Sequence, residues 1–349
     1  MSVDVNMPES DEIQTSNSVN VIELISDSPA DKIKKITARL EQGVTELFES
    51  ERYKEYLRVM SKFHNYSFNN TLLIAIQKPD ASLVAGFSSW KNNFGRTVKK
   101  GEKGIKIIAP APSKRTEERQ LIDPDTRLPM LDENGEPLKV KVELVIPKYK
   151  VVHVFDVSQT EGRELPDIAV DELTGDVGQY HEFLDALVSV SPVPVGFESI
   201  SGGAHGYYSP IEKRIAVKDD LSEIQTLKTL IHEIAHAMLH DVDPSAIKEG
   251  ISNLPDRYTR EVQAESVAYV VCQHYGLDSS EYSFGYIAGW SKGKELTELK
   301  CSLETIRNAA AEIIDGIDEQ LADPQRTGDK AKDTEDIQPK KKREREYAR

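Results

Sequence analysis

Two histidines and a glutamate in a short apolar segment are the residues best suited to chemistry. His232 and His236 are four residues apart and enclose Glu233 in an H-E-x-x-H pattern. Apolar residues recur at helical spacing across 224–240, so both imidazoles share one helix face and can bind one zinc ion. Glu233 stands beside them, where its carboxylate can accept a proton from water acidified by the zinc. The pattern predicts a Zn²⁺ site with Glu233 as general base. The alternative is an amphipathic helix whose histidines lie at the edge of a core.

A catalytic zinc usually has a third protein ligand, and the next helical segment offers two carboxylates. Glu261 and Glu265 are four residues apart and resemble the second motif of gluzincin-type peptidases. That resemblance implies that Glu261 binds the metal and Glu265 hydrogen-bonds a ligand histidine, with the reverse assignment and a solvated acidic face left open. His240 is expected to end the zinc helix, with a role as third ligand as the lesser alternative. Tyr258 is a candidate for stabilising an oxyanion.

The overall composition points to a globular protein without a membrane segment. The chain has 349 residues, of which 38% are hydrophobic and 30% charged, and its net charge is −15. No apolar run reaches transmembrane length, and the acidic, polar N-terminus is unlike a secretory signal. The two cysteines, Cys272 and Cys301, lie in separate segments and form no disulfide framework. These features predict a cytoplasmic protein with no membrane partner.

Residues 51–110 reverse the acidic balance, because they contain eleven basic and only four acidic residues. Aromatic residues alternate with these charges, and rings stack on unpaired bases while cations contact phosphates. The alternative is that the rings fill a small core and the lysines are simply solvated, with Tyr66 the aromatic expected to be exposed. The candidate DNA contacts are Tyr66, Trp90, Lys91, Arg96, Lys99, Lys100 and Lys103.

The order of predicted elements indicates an α+β protein of two domains with disordered ends. Helices precede a small sheet in the first domain, whereas the second contains the zinc helix and a long helical segment over 283–321. A strand at 214–218 is either an edge that pairs with an extended peptide or part of a structural hairpin. The predicted segments are a disordered lead (1–29), a first domain (30–160), a linker (161–172), a second domain (173–322) and a disordered charged tail (323–349).

Several spaced motifs resemble the N-terminal domain of ArdC-type antirestriction proteins. They lie at residues 63–67, 72–74, 77, 86–87, 90, 95–96, 100–104 and 154–160. The zinc region resembles the metallopeptidase half of the same proteins, which is related to the ImmA/IrrE peptidases. The resemblance implies a single-stranded-DNA-binding domain followed by a zincin-like metallopeptidase domain, in a family carried on plasmids and conjugative elements.

We therefore expect a single-stranded-DNA-binding protein with a gluzincin-like, zinc-dependent metallopeptidase domain. Its expected role is antirestriction or DNA protection on a mobile element, with single-stranded DNA and a protein substrate as partners. One alternative is a DNA-binding protein that is not proteolytic and whose zinc domain is structural. The other is an ImmA-like protease that cleaves a repressor.

Overall fold

The computed structural model describes residues 19–24, 28–48, 50–124, 126–133, 135–165, 177–242, 254–277, 282 and 284–322. The α+β class and the two-domain organisation predicted from the sequence are confirmed. None of the helices in these ranges is long and apolar enough to cross a membrane.

The N-terminal part begins with helices and continues into short sheets. Ser67 starts the third helix, because its side chain accepts a hydrogen bond from the backbone N–H of Asn70. The helices are α1 (Pro29–Leu47), α2 (Ser50–Lys62), α3 (Phe68–Gln77) and α4 (Phe87–Asn92). The strands are β1 (Val84–Gly86), β2 (Arg96–Val98), β3 (Ile105–Pro110), β4 (Ser113–Gln120), β5 (Lys139–Ile146), β6 (Tyr149–Asp156) and β7 (Thr160–Gly162).

Helix α3 covers the edge of the main N-terminal sheet, whose strand order is β1-β6-β3. The Asn70 side-chain amide accepts a hydrogen bond from the Ile108 N–H and donates one to the Ile108 carbonyl, both at 2.9 Å. The Gln77 side-chain amide likewise accepts from the Lys106 N–H at 3.0 Å and donates to the Lys106 carbonyl at 2.9 Å. These amides satisfy backbone groups that an edge strand leaves unpaired, so they fix α3 against β3. Strands β2 and β7 form one further pair, and β4 and β5 form another.

The C-terminal part places a small sheet beside the helix with the H-E-x-x-H pattern. Its strand order is β8-β10-β9, with β10 parallel to β8 and antiparallel to β9. Of the two alternatives for 214–218, the edge strand is wrong because β10 is central, whereas the structural hairpin is confirmed because β10 pairs antiparallel with the preceding strand β9. The elements are α5 (Val177–Val190), β8 (Val195–Glu198), β9 (Gly206–Ser209), β10 (Arg214–Lys218), α6 (Glu223–Leu239), α7 (Arg257–His274), α8 (Ile287–Ser291) and α9 (Leu296–Leu321).

One hydrophobic core contains residues from both predicted domains. Helix α2 packs on α7, and the fully buried Tyr53 hydroxyl lies 2.9 Å from the Ser266 hydroxyl. The Phe48 ring meets the Trp290 ring edge-on, with centroids 5.6 Å apart. Helix α7, which carries both candidate carboxylates, is therefore held by the N-terminal helices as well as by its own domain.

Three predicted segments differ from the structure. Part of the lead predicted to be disordered packs on the N-terminal domain, because the Asn20 N–H donates to the Gln77 carbonyl at 2.7 Å and Lys106 donates to the Ile22 carbonyl at 2.8 Å. The predicted linker begins inside β7. The helical segment at 283–321 is divided into α8 and α9, with Gly293 between them at φ +81°. Residues 1–18 and 25–27 of the lead, 166–172 of the linker and 323–349 of the tail lie outside the described residues.

Candidate metal centre and DNA-binding surface

Helices α6 and α7 bring together three side chains that can bind a metal ion. His232 and His236 share one face of α6, and their Nε2 atoms are 3.1 Å apart. Glu261 approaches from α7, with its Oε2 atom 3.7 Å from His232 Nε2 and 3.6 Å from His236 Nε2. Ligand atoms on a tetrahedral zinc ion lie about 3.4 Å from one another. The donor types and their separations therefore fit a divalent metal, and the reverse assignment to Glu265 loses its geometric basis.

The charges at this cluster favour a cation. Contact with the two imidazoles holds the pKa of the Glu261 carboxyl well below its usual range. Burial disfavours the charged form of His232, but contact with Glu261 and the neighbouring Glu233 carboxylate outweigh burial and raise its pKa. A divalent ion between these groups would replace the shared protons and satisfy the same carboxylate.

Glu233 lies next to the cluster on the wall of a cleft of about 300 Å³. The residue is only 8% exposed, and burial raises the pKa of its carboxyl against the opposing effect of the two histidines. Gly206 of β9 passes close to this helix turn, because a Cβ there would lie 2.6 Å from Thr229 Cγ2. The cleft is lined by His205, Gly206, Gln225, Lys228, Thr229, His232, Glu233, Glu265 and Tyr282.

Glu265 faces this cleft but does not have the predicted partner. Among the described residues its carboxylate accepts a hydrogen bond from the Tyr286 hydroxyl, not from a ligand histidine. Burial raises its pKa. The Tyr258 hydroxyl donates to the Tyr286 carbonyl at 3.0 Å, so this candidate for oxyanion stabilisation is engaged elsewhere. These contacts do not supply the predicted partners, and both roles stay predictions.

A hydrogen bond to one ligand histidine comes from His240, which the sequence predicted to end the helix or, as the lesser alternative, to be the third ligand. His236 Nδ1 lies 2.9 Å from His240 Nδ1, His240 Nε2 lies 2.9 Å from Gln263 Oε1, and Gln263 Nε2 donates to Ser302 Oγ at 2.7 Å. Because an amide oxygen only accepts, His240 donates from Nε2 and must accept at Nδ1. His236 therefore carries its proton on Nδ1 and leaves the Nε2 lone pair for a metal.

His240 is suited to this accepting role because it is neutral. Burial lowers its pKa to about 4, and the hydrogen bond to Gln263 only partly opposes that shift. The spacing from His236 was visible in the sequence, but Gln263 lies 23 residues further along the chain and on another helix. No local pattern reveals that contact.

Four of the predicted DNA contacts lie on the surface, and they are Lys91, Lys99, Lys100 and Lys103. Arg96 is half-buried and joins β2 to β7, because it donates to Thr160 Oγ1 at 2.7 Å and to the Arg163 carbonyl at 2.6 Å. These contacts give Arg96 a structural role whether or not it also meets DNA.

The two predicted aromatic contacts are less accessible than expected. Trp90 is fully buried, and its Nε1 donates to the Phe155 carbonyl at 2.8 Å, so the ring cannot stack on a base. The prediction for Trp90 is therefore wrong. Tyr66 is partly buried, with its ring edge-on to Phe63 at 5.8 Å. Phe87 is exposed instead, with 57% of its surface accessible, and lies one helical turn before Lys91.

Comparison with known proteins identifies two domains in this chain. The N-terminal domain of anti-restriction factor ArdC matches residues 27–155, and an IrrE N-terminal-like domain of peptidase family M78 matches residues 192–276. An uncharacterized Bacillus anthracis protein, pXO2-81, is 29% identical over 86% of this chain and 54% of its own length. The Escherichia coli DNA primase TraC is 27% identical over 62% of this chain and 19% of its own length. The chain thus spans only part of either relative.

Crystal structures of the antirestriction ArdC protein from plasmid R388 are also similar. The metal-free structure has 22% identity and a TM-score of 0.39, covering 73% of this chain and 84% of that one. The Mn(II)-bound structure has 20% identity and a TM-score of 0.42, covering 74% and 86%. The family matches, together with the spaced motifs, confirm the resemblance inferred from the sequence. This chain therefore contains an ArdC-type N-terminal domain followed by an IrrE N-terminal-like domain of peptidase family M78.

Proposed function

We propose that this protein is a zinc-dependent peptidase with a single-stranded-DNA-binding N-terminal domain, and that it protects DNA of a mobile element in the cytoplasm. The observation that carries the peptidase half is the convergence of His232, His236 and Glu261 beside the buried carboxylate of Glu233. Two imidazoles and one carboxylate form a ligand set typical of catalytic zinc.

The residues of the site divide the work of peptide hydrolysis. His232, His236 and Glu261 hold the ion, which when bound supplies Lewis-acid chemistry that acidifies water and polarises a carbonyl. Glu233 accepts the proton of the attacking water and returns it to the leaving amine, a role helped by the raised pKa of its buried carboxyl. His240 orients His236. The edge strand β9, whose Gly206 borders the cleft, offers backbone groups to an extended peptide.

The peptidase proposal is tested by separating metal binding from proton transfer. Glu233→Gln should retain the native metal content and lose cleavage of a fluorogenic peptide library by at least about 100-fold, the lower range for loss of a general base. His232→Ala should lose the metal as well as the activity. Glu223→Gln, an exposed residue on the same helix, is the matched control. Cleavage by Glu233→Gln at the native rate would refute the proposed mechanism.

Single-stranded-DNA binding has its own supporting observation on the surface of the N-terminal domain. Phe87 and Lys91 are four residues apart on α4, so an exposed ring and a cation share one helix face. Helix α4 packs beside β2, which leads into the turn that carries Lys100 and Lys103. An exposed ring beside several lysines is the combination that binds bases and phosphates of a single strand.

DNA binding is tested by fluorescence anisotropy with a labelled single-stranded oligonucleotide across a salt series. Lys100→Gln combined with Lys103→Gln should weaken binding and reduce the slope of log K against log salt by about 1.4, the value for two lost phosphate contacts. Phe87→Ala should weaken binding by roughly 1–3 kcal/mol with the slope unchanged. Exposed lysines elsewhere, Lys34→Gln and Lys292→Gln, are the control. Native affinity in all variants would reject this surface.

Protection of incoming DNA links the two halves of the proposal. If Glu233→Gln abolishes protection while single-stranded-DNA binding is intact, proteolysis is required. If the variant protects like the native protein, DNA occupancy alone is sufficient and the peptidase has a separate target. The two outcomes distinguish an antirestriction protease from a DNA-coating protein.

A further inference from the structure

A long hairpin projects from the N-terminal sheet, and we name residues 111–150 the hairpin arm, whose base includes the first two residues of β6. Its strands β4 and β5 have eight residues each, about 27 Å of extended chain, and in the described part of the chain neither pairs with a third strand. A two-stranded ribbon is only marginally stable alone in water. The arm nevertheless exposes large apolar side chains: Leu128 (64%), Val145 (61%), Leu131 (57%) and Tyr149 (55%). These features indicate that a partner covers the apolar side chains of the arm.

The charge of the arm changes sign along its length. The root, residues 111–115 and 144–150, has four basic and no acidic residues, whereas the centre of the two strands has three of each. The tip, residues 121–138, has one basic and five acidic residues. The basic residues of the root are Lys114, Arg115, Lys148 and Lys150, and the acidic residues of the tip are Asp123, Asp125, Asp132, Glu133 and Glu136. The arm is therefore positive at one end and negative at the other.

We propose that the hairpin arm binds the arm of a second copy of this chain. In an antiparallel arrangement about a twofold axis, the acidic tip of each arm lies on the basic root of its partner, so the same attraction occurs twice. Apolar groups also match, because Leu128 and Leu131 of the tip can cover Val145 and Tyr149 of the root. A nucleic-acid strand would be attracted to the root but repelled by the tip.

The size of the arm predicts a weak, reversible dimer. Two ribbons about 27 Å long and about 10 Å wide bury only several hundred Å² in total, which is the range of transient interfaces. The attraction is between exposed charges, so it should weaken as salt shortens the electrostatic range. Dimers should therefore form at micromolar or higher protein concentrations and dissociate on dilution or at high salt.

Paired charge reversals test the antiparallel arrangement in the full chain. Lys148→Glu with Lys150→Glu brings the net charge of the root from +4 to 0, and Glu133→Lys with Glu136→Lys brings that of the tip from −4 to 0; all four residues are exposed. Each variant alone loses the charge attraction at both ends of its dimer, so that dimer should dissociate roughly 10–30-fold more readily than the native dimer. An equimolar mixture of the two variants should dimerise more tightly than either variant alone, because in the mixed dimer the native tip of one chain faces the native root of the other. Sedimentation velocity over a concentration series measures dimerisation of the native protein, of each variant and of their mixture.

Three results would overturn the proposal. One is a native protein that stays monomeric at every concentration tested. A second is a mixture of the two folded variants that dimerises no more tightly than either variant alone. The third is a root variant that sediments like the native protein and loses only single-stranded-DNA binding, which would assign the root to nucleic acid. Circular dichroism of each variant establishes that the fold is retained.

Discussion

Replacing His240 by alanine tests the reasoning about the metal centre most directly. The substitution removes the acceptor of the His236 Nδ1–H and the donor to Gln263, two contacts that are each 2.9 Å long. The ring of His236 is then free to rotate or change tautomer, although every proposed ligand is still present. We therefore expect weaker metal binding without loss of a coordinating atom.

The magnitude follows from the two broken contacts. Loss of a hydrogen-bond partner behind a ligand histidine typically weakens metal binding 10–100-fold, or about 1.4–2.8 kcal/mol. The metal-free protein should also lose roughly 2–4 kcal/mol of stability, because two buried polar groups are left without partners. Ser302→Ala acts two contacts further out, where only the 2.7 Å bond from Gln263 is lost. Its effect on metal affinity should be about twofold or less, by the steep decline expected of indirect contacts.

The assay is competition for zinc against a chromophoric chelator, at a temperature well below unfolding so that affinity and stability are measured separately. Replacing zinc by Co²⁺ gives an absorption spectrum that reports ligand geometry and should change in His240→Ala. His205→Ala is the control, because His205 lines the same cleft but forms its hydrogen bond with Gln225 and not with a metal-binding histidine. Native zinc affinity and a native cobalt spectrum in folded His240→Ala would refute the orienting role.

Three other measurements concern the core and the surface. Tyr53→Phe removes the buried hydroxyl contact with Ser266, so denaturant unfolding should show a loss of about 1 kcal/mol. A thiol reagent should modify the exposed Cys301 in the native protein but reach Cys272 only on unfolding, because burial both covers that thiol and raises its pKa to about 12. Burial lowers the pKa of His64, so protonation favours the unfolded state. The free energy of unfolding should therefore be constant above the unfolded-state pKa of about 6.5 and fall as the pH drops below that value. His64→Phe should reduce this pH dependence.

Matched variants make these outcomes decisive. Tyr149→Phe changes an exposed tyrosine and should leave stability unchanged, and an equal loss there would contradict the value of the buried contact. Cys301→Ser should leave no rapidly reacting thiol, so residual fast reaction would place Cys272 at the surface. His181→Gln alters an exposed histidine, and a pH profile that changes as much as in His64→Phe would show that burial is not the cause.

The histidine pair of the metal cluster was predictable because its information is local. His232 and His236 are one turn apart on one helix, so their spacing alone brings the two imidazoles together, whereas Glu261 on α7 was assigned through the resemblance to gluzincin-type peptidases. Such arguments fail for contacts between distant segments. His240 is supported by a glutamine from another helix, and Glu265 bonds a tyrosine 21 residues away, and neither pairing follows from a periodicity.

The incorrect predictions have a common physical origin in tertiary burial. Trp90 is aromatic and lies among lysines, but its indole N–H pairs with a carbonyl of β6 and its ring fills the core. Phe87, three residues earlier, is the ring left outside, and no property of the sequence separates the two. The strand at 214–218 was correctly located, but its central place in the sheet depends on two partners that a single strand cannot identify.

The shared core also determines how the two halves of the protein unfold and whether they can be separated. Because α2 packs on α7 and Tyr53 reaches Ser266, heat cannot loosen one half without uncovering apolar surface of the other. Calorimetry should therefore record one transition instead of two, and protease nicking between the halves should leave them associated. A recombination event that replaced either half by a foreign domain would have to preserve both faces of this contact. We therefore expect the two halves to be inherited together.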